Sequence, residues 1–123
     1  MVSYRVADIQ RSLGFYVGML GMTERARFPG LGPDERELVL GFPNTRGALV
    51  MLMWNVSRPR PYQIGEGYSR FTIMVRNADA AMKYLVEHGA PVILPVSEAN
   101  NCRYGVVVDP DGYKIELLQL LRT

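Results

Sequence analysis

The stretch VVVDPDGYKIELLQL, residues 106–120, is two apolar, strand-like runs separated by DPDG. Asp, Pro and Gly in that order are turn chemistry, so the stretch reads as an antiparallel pair closed by a tight turn. Glu116, between Ile115 and Leu117, does not belong to an apolar run. Side chains alternate along a strand, so Glu116 shares a face with Lys114 and Leu118, opposite Tyr113, Ile115 and Leu117. A carboxylate on that face is either solvated or faces a site that uses its charge.

Working outward, CRYGVVV and APVILPV read as two further strands before this one, and GYSRFTIMV as a strand before those. Between them NADAAMKYLVEHG has helical periodicity, with Asn77 or Asp79 opening it, Gly89 closing it, and Met82, Leu85 and Val86 as the apolar face. The N-terminal half has the same order. MVSYRV reads as a strand. ADIQRSLGFYVGMLG follows as a helix with Asp8 as N-cap, Gly21 as stop, and Ile9, Leu13, Tyr16, Val17 and Leu20 on one face. MTERARF, ERELVLGF and GALVMLMWNV are strands, separated by the turn-forming FPGLGPD and PNTRG. Each half is therefore β-α-β-β-β: residues 1–56, then a Pro-, Gly- and charge-rich connector at 57–66, then residues 67–121. One such unit leaves a sheet face uncovered, whereas two together enclose a shared cavity. The expected fold is α+β, with two βαβββ modules forming curved mixed sheets within a single domain, 1–123.

At 123 residues the chain is long enough for one domain, and its 48% hydrophobic content supplies a core. A net charge of +2 without a basic run gives no reason to expect nucleic acid or membrane as partner. Cys102 is the single cysteine, which excludes an internal disulfide and suits a cytoplasmic setting. With one histidine, His88, and one cysteine, no metal cluster of Cys and His can be built. Nothing near Cys102 activates it, and His88 at a helix end suits the helix dipole rather than catalysis.

With YRVADIQRSLGFYVGMLGM in front and VVVDPDGYKIELLQL behind, the chain resembles the vicinal-oxygen-chelate superfamily: glyoxalase I, extradiol dioxygenases, epimerases and the bleomycin- and fosfomycin-resistance proteins. The resemblance spans nearly the whole chain and is closest in motif to bacterial glyoxalase I. It implies a cavity in which a divalent metal sits on four inward strand positions: His or Gln, then Glu, His and Glu. Laid on this sequence, those positions fall at Met1, Met51, Arg70 and Glu116. Only Glu116 matches, although a His upstream of Met1 would restore one more. Met thioethers are soft, weak ligands, and Arg has no lone pair and places a positive charge where the cation would sit. The expectation is no metal, and neither ordinary glyoxalase I nor ring-cleaving dioxygenase activity.

The resemblance turns the face carrying Glu116 and Arg70 inward, and a buried Arg70 needs a partner, for which Glu116 is the candidate. The pair either fills a degenerate metal site or also holds an anionic group of a ligand. Glyoxalase I also implies that Arg5 and Asn55 hold the γ-glutamyl end of glutathione, although a general polar wall explains them equally well. Met51, Met53 and Met74 are cavity lining or core filler, Trp54 is expected to pack on a helix, and Tyr104 is a candidate ligand contact. Two functions follow. In the first, the protein binds a small anionic or aromatic-polar molecule without metal or cofactor. Arg5 and Arg70 make cationic bleomycin a poor fit. In the second, it is a metal-independent isomerase or lyase, with Glu116 as base, Arg70 stabilising an oxyanion, and glutathione as cosubstrate. A third reading, a collapsed cavity without ligand, is open as well. The family implies a homodimer and leaves open whether modules pair within or between chains.

Overall fold

The computed structural model describes residues 1–121, which divide into two compact units at Gln63/Ile64, inside the predicted connector. Unit 1 holds β1 (Val2–Arg5), α1 (Ile9–Leu13), a π-helical turn (Gly14–Met19), β2 (Thr23–Phe28), β3 (Glu35–Gly41) and β4 (Val50–Asn55). Unit 2 holds β5 (Phe71–Met74), α2 (Ala78–Glu87), β6 (Val92–Ala99), β7 (Cys102–Val108) and β8 (Lys114–Leu120). The sheets have the orders β1-β4-β3-β2 and β5-β8-β7-β6. In each, the first strand pairs parallel with the last, and the other pairs are antiparallel. The two halves thus share one topology, an α+β architecture of two four-stranded mixed sheets with a helical segment in each unit.

In unit 1, Tyr4, Leu38, Leu40, Val50 and Leu52 are buried together with Phe15, Tyr16 and Met22 of the helical segment and its exit. The hydroxyls of Tyr4 and Tyr16 hydrogen-bond, which satisfies two buried polar groups at once. Asp8 caps α1 by accepting from the amides of Gln10 and Arg11. The predicted continuous α-helix over this stretch is corrected: α1 ends at Leu13 and the chain continues as the π turn, with Leu20 N–H donating to Phe15 O. The wider winding brings consecutive Phe15 and Tyr16 to the core and leaves Val17, placed on the apolar face by 3.6-residue spacing, exposed.

In unit 2, α2 covers the face of Ile73, Val107, Ile115 and Leu117 with Met82 and Leu85. Burying a side chain such as Leu117 contributes about 1.5–3 kcal/mol. Gly105 is where helix and sheet come closest, since a Cβ there would lie 2.6 Å from Met82 Cε. Asn77, rather than Asp79, caps α2, accepting from Ala80 N–H at 3.0 Å. Val86, predicted on the buried face, is exposed because only Met82 and Leu85, with Ala78, point at the sheet. His88 ends the helix, its Nδ1 2.8 Å from Tyr84 O. The opening DPDG turn is built by Asp109, whose Oδ1 accepts from Asp111 N–H and Tyr113 N–H at 2.9 and 2.8 Å. No helix of the described residues is long and apolar enough to cross a membrane.

Candidate functional site

The sheet face of unit 2 turned away from α2 carries the chemistry. The parallel register of β5 and β8 sets Thr72 beside Glu116, and the antiparallel register of β7 and β8 sets Val106 on its other side. Glu116 is 8% exposed, so its charge needs neighbours. Thr72 Oγ1 donates to Glu116 Oε1 at 2.9 Å, and Arg70 Nε lies 3.1 Å from the same oxygen. Glu116 Oε2 makes no hydrogen bond among the described residues. One carboxylate oxygen is hydrogen-bonded by Thr72 and the other is not.

Arg70 is only half engaged. Its Nη1 donates to Ser69 Oγ at 3.2 Å, its Nη2 makes no hydrogen bond among the described residues, and its side chain is 47% exposed. Arg70 and Glu116 line a pocket of about 550 Å³ with Tyr68, Tyr104, Lys114 and Glu66 around its polar wall and Leu94 and Val106 on its apolar side. A volume of this size accommodates a small organic molecule. Burial, followed by the nearby Asp109 and Tyr113, pushes the Tyr68 phenol up to about 12, so it stays a neutral donor, engaged with Lys114 O at 2.9 Å.

Unit 1 presents a second polar site on the face opposite its helical segment. Arg5 Nη1 donates to Glu35 Oε1, which raises the Arg5 pKa above its ordinary value; Tyr62 contributes less. These residues line a pocket of about 180 Å³ with Asn55, Arg58 and Arg60. Met51 and Met53 are half-buried on the same strand, alternating with buried Val50 and Leu52, but belong to neither of these two pockets. Met74 is largely exposed, and Trp54 is only half-buried.

The structure thus brings Glu116, Arg70 and Tyr104 into one pocket and Arg5 and Asn55 into another. Sequence reasoning missed Thr72 as the residue that anchors Glu116, although strand alternation places it on the Arg70 face. It also missed Glu35, which was read only as the start of a strand, and Arg58, Arg60 and Tyr62, which lie in the connector. For a divalent cation, the unit 2 pair offers a guanidinium, which has no lone pair to give, and one carboxylate. Among the described residues no three His, Cys, Asp or Glu side chains are grouped to hold an ion. A catalytic metal needs about three protein ligands, and of Arg70 and Glu116 only Glu116 can supply one.

Comparisons place this arrangement in a family. Residues 1–117 match the Glyoxalase/Bleomycin resistance protein/Dioxygenase superfamily. Lactoylglutathione lyase of Escherichia coli O157:H7 is 32% identical over 131 aligned positions, covering 94% of this chain and 87% of that protein. Among solved structures, the trypanothione-dependent glyoxalase I of Leishmania major superposes with a TM-score of 0.81 at 29% identity, covering 95% of this chain and 82% of that one. Glyoxalase I from Zea mays gives 0.82 at 27%, covering 98% of this chain, which spans only 44% of the maize chain. An antibiotic-binding protein from Streptomyces sp. CB03234, at 23% identity and a TM-score of 0.73 over 97% of this chain and 93% of its own, shares the fold. The repeated βαβββ units, their sheet order and these matches agree: the chain belongs to the glyoxalase/bleomycin resistance protein/dioxygenase superfamily.

Proposed function

We propose that this protein binds a small anionic or aromatic-polar molecule without a metal, in the unit 2 pocket, with Arg70 taking the cation's part. The observation that carries the reading is the Arg70 guanidinium, half-exposed in the pocket lining with Nε 3.1 Å from Glu116 Oε1. A half-satisfied guanidinium recognises a carboxylate, phosphate or enolate oxygen. Tyr68 and Tyr104 offer ring surface and hydroxyls, and Leu94 and Val106 an apolar floor. Arg5, Asn55, Met51 and Met53 remain proposed ligand contacts of unit 1. Homodimerisation and a cytoplasmic location belong to the same proposal.

One observation favours a second reading as an acid–base lyase or isomerase acting on a glutathione conjugate. Glu116 Oε2 makes no hydrogen bond while Oε1 accepts from Thr72, which orients a carboxylate as a base would need. The relatives named lactoylglutathione lyase supply the reaction class. Against it, Arg70 Nε already lies 3.1 Å from Glu116 Oε1, so a cation engages the carboxylate before any substrate arrives.

Thermal-shift screening in EDTA with S-substituted glutathiones, aromatic carboxylates and phosphate monoesters tests both readings. At 100 times Kd a binder stabilises by about 2.7 kcal/mol, several degrees in Tm. Binding is expected to survive Glu116→Gln and to fall at least tenfold in Arg70→Ala. Turnover that disappears in Glu116→Gln while binding persists selects the lyase reading. Ligand binding unchanged in Arg70→Ala contradicts the assignment of Arg70.

A further inference from the structure

The unit 2 pocket contains a cation that the pairing of Arg70 with Glu116 leaves out. Along β8 the side chain of Ile115 is fully buried, so Lys114 and Glu116 share the opposite face, and both line the pocket. The parallel register pairs Phe71 with Ile115 and Thr72 with Glu116, and one step back it sets Arg70 beside Lys114. Tyr68 Oη donates to Lys114 O at 2.9 Å, which holds the segment carrying Ser69 and Arg70 alongside β8. Two cations are thus neighbours on one sheet face, an arrangement that is destabilising by itself. Arg70 has Glu116 as partner, whereas the exposed Lys114 ammonium makes no hydrogen bond or ion pair among the described residues.

Ser69, in the same lining, adds a neutral donor. Its Oγ accepts from Arg70 Nη1 at 3.2 Å, so its own proton is left to give. The carboxylates of the lining do not cancel Lys114. Glu116 is engaged by Thr72 and Arg70, and Glu66 stands exposed in the connector without hydrogen bond or ion pair among the described residues. A ligand carboxylate brings one charge and two oxygens to these three donors. A phosphate monoester brings about two charges at neutral pH and three strong acceptor oxygens, which match two cations and a hydroxyl.

We infer that the unit 2 pocket, if it binds anions as proposed above, selects a phosphate monoester with an aromatic or apolar ester group. The phosphate bridges Arg70 and Lys114 and accepts from Ser69, while the ester group lies over Leu94 and Val106. A pocket of about 550 Å³ has room for both parts. Arg70 serves any anion, and Lys114 is the residue that separates dianions from monoanions.

Calorimetric titrations at pH 7.5 in EDTA with phenyl phosphate, phenyl sulfate and benzoate test it, the sulfate having the phosphate's shape with a single charge. Phenyl phosphate is expected to bind at least tenfold more tightly than either of the others. Lys114→Gln, at an exposed position outside the core, should weaken phenyl phosphate at least tenfold and phenyl sulfate and benzoate less than threefold. Arg70→Ala should weaken all three. Phenyl phosphate binding no more tightly than phenyl sulfate, or equally well in Lys114→Gln, overturns the inference. If Arg70→Ala still weakens the three anions in that case, the unit 2 reading stands without it. Absence of saturable phenyl phosphate binding overturns the inference as well.

Discussion

At the scale of single residues, Thr72 and Arg70 divide the work around Glu116 unequally. Thr72 is a short, fixed donor to a nearly buried carboxylate, whereas Arg70 is a half-exposed partner whose attraction is screened by water. Thr72→Val, which keeps the shape and removes the hydroxyl, is expected to destabilise by about 1–2 kcal/mol, and Arg70→Ala by less than about 1 kcal/mol. Urea midpoints of the two variants check the order, and a larger loss for Arg70→Ala would reverse it. Tyr68 makes a second prediction. Its folded pKa lies above its ordinary value of 10, so the folded chain keeps a proton that the unfolded chain releases. The stability this confers is present below pH 10 and lost as pH rises from about 10 to 12. In Tyr68→Phe that part of the alkaline decline should be absent from denaturation curves measured across this window.

At the scale of elements, DPDG and the strand it feeds form one device. Asp109, 3% exposed, ties down the turn through two backbone amides, and the strand that leaves it carries Glu116 to the pocket. Asp109→Ala is expected to cost about 1–3 kcal/mol, since two buried donors lose their acceptor. The same variant should weaken ligand binding in the unit 2 pocket, because Tyr113 and Lys114 follow directly. Asp109→Asn, which retains an acceptor oxygen, should recover most of the stability. Equal losses in both variants would show that charge, rather than the turn's hydrogen bonds, matters there. The helices were less legible than this turn. A 3.6-residue spacing of Ile9, Leu13, Tyr16 and Val17 describes a helix but cannot reveal a π turn, which is chosen by burying Phe15 and Tyr16 together. Val86 failed for a similar reason, since its apolar character says nothing of how wide a stripe the sheet can cover.

At the scale of the whole molecule, the repeat was readable because each half punctuates the same order of strands and helix with Gly, Pro and Asp, and because the two long motifs are rich in position-specific residues. The pairing of Arg70 with Glu116 was legible through strand alternation combined with the superfamily's geometry. Glu35 was not, because FPGLGPD declares a turn without showing that it folds back on the first residue of the strand that follows. Nor were Arg58 and Arg60, which in sequence are only connector charges. Arg5, expected to meet a ligand directly, is already engaged by Glu35.

The central claim is that this superfamily member binds its ligand with Arg70 instead of a metal. Calorimetric titration of the tightest-binding anionic molecule of the screen, in excess EDTA and again with added Ni²⁺ or Zn²⁺, tests it most directly. The account predicts saturable binding in EDTA, with affinities agreeing within about twofold, under 0.5 kcal/mol, when metal is supplied. Binding that appears only with metal, or that tightens tenfold or more on adding it, would contradict the account.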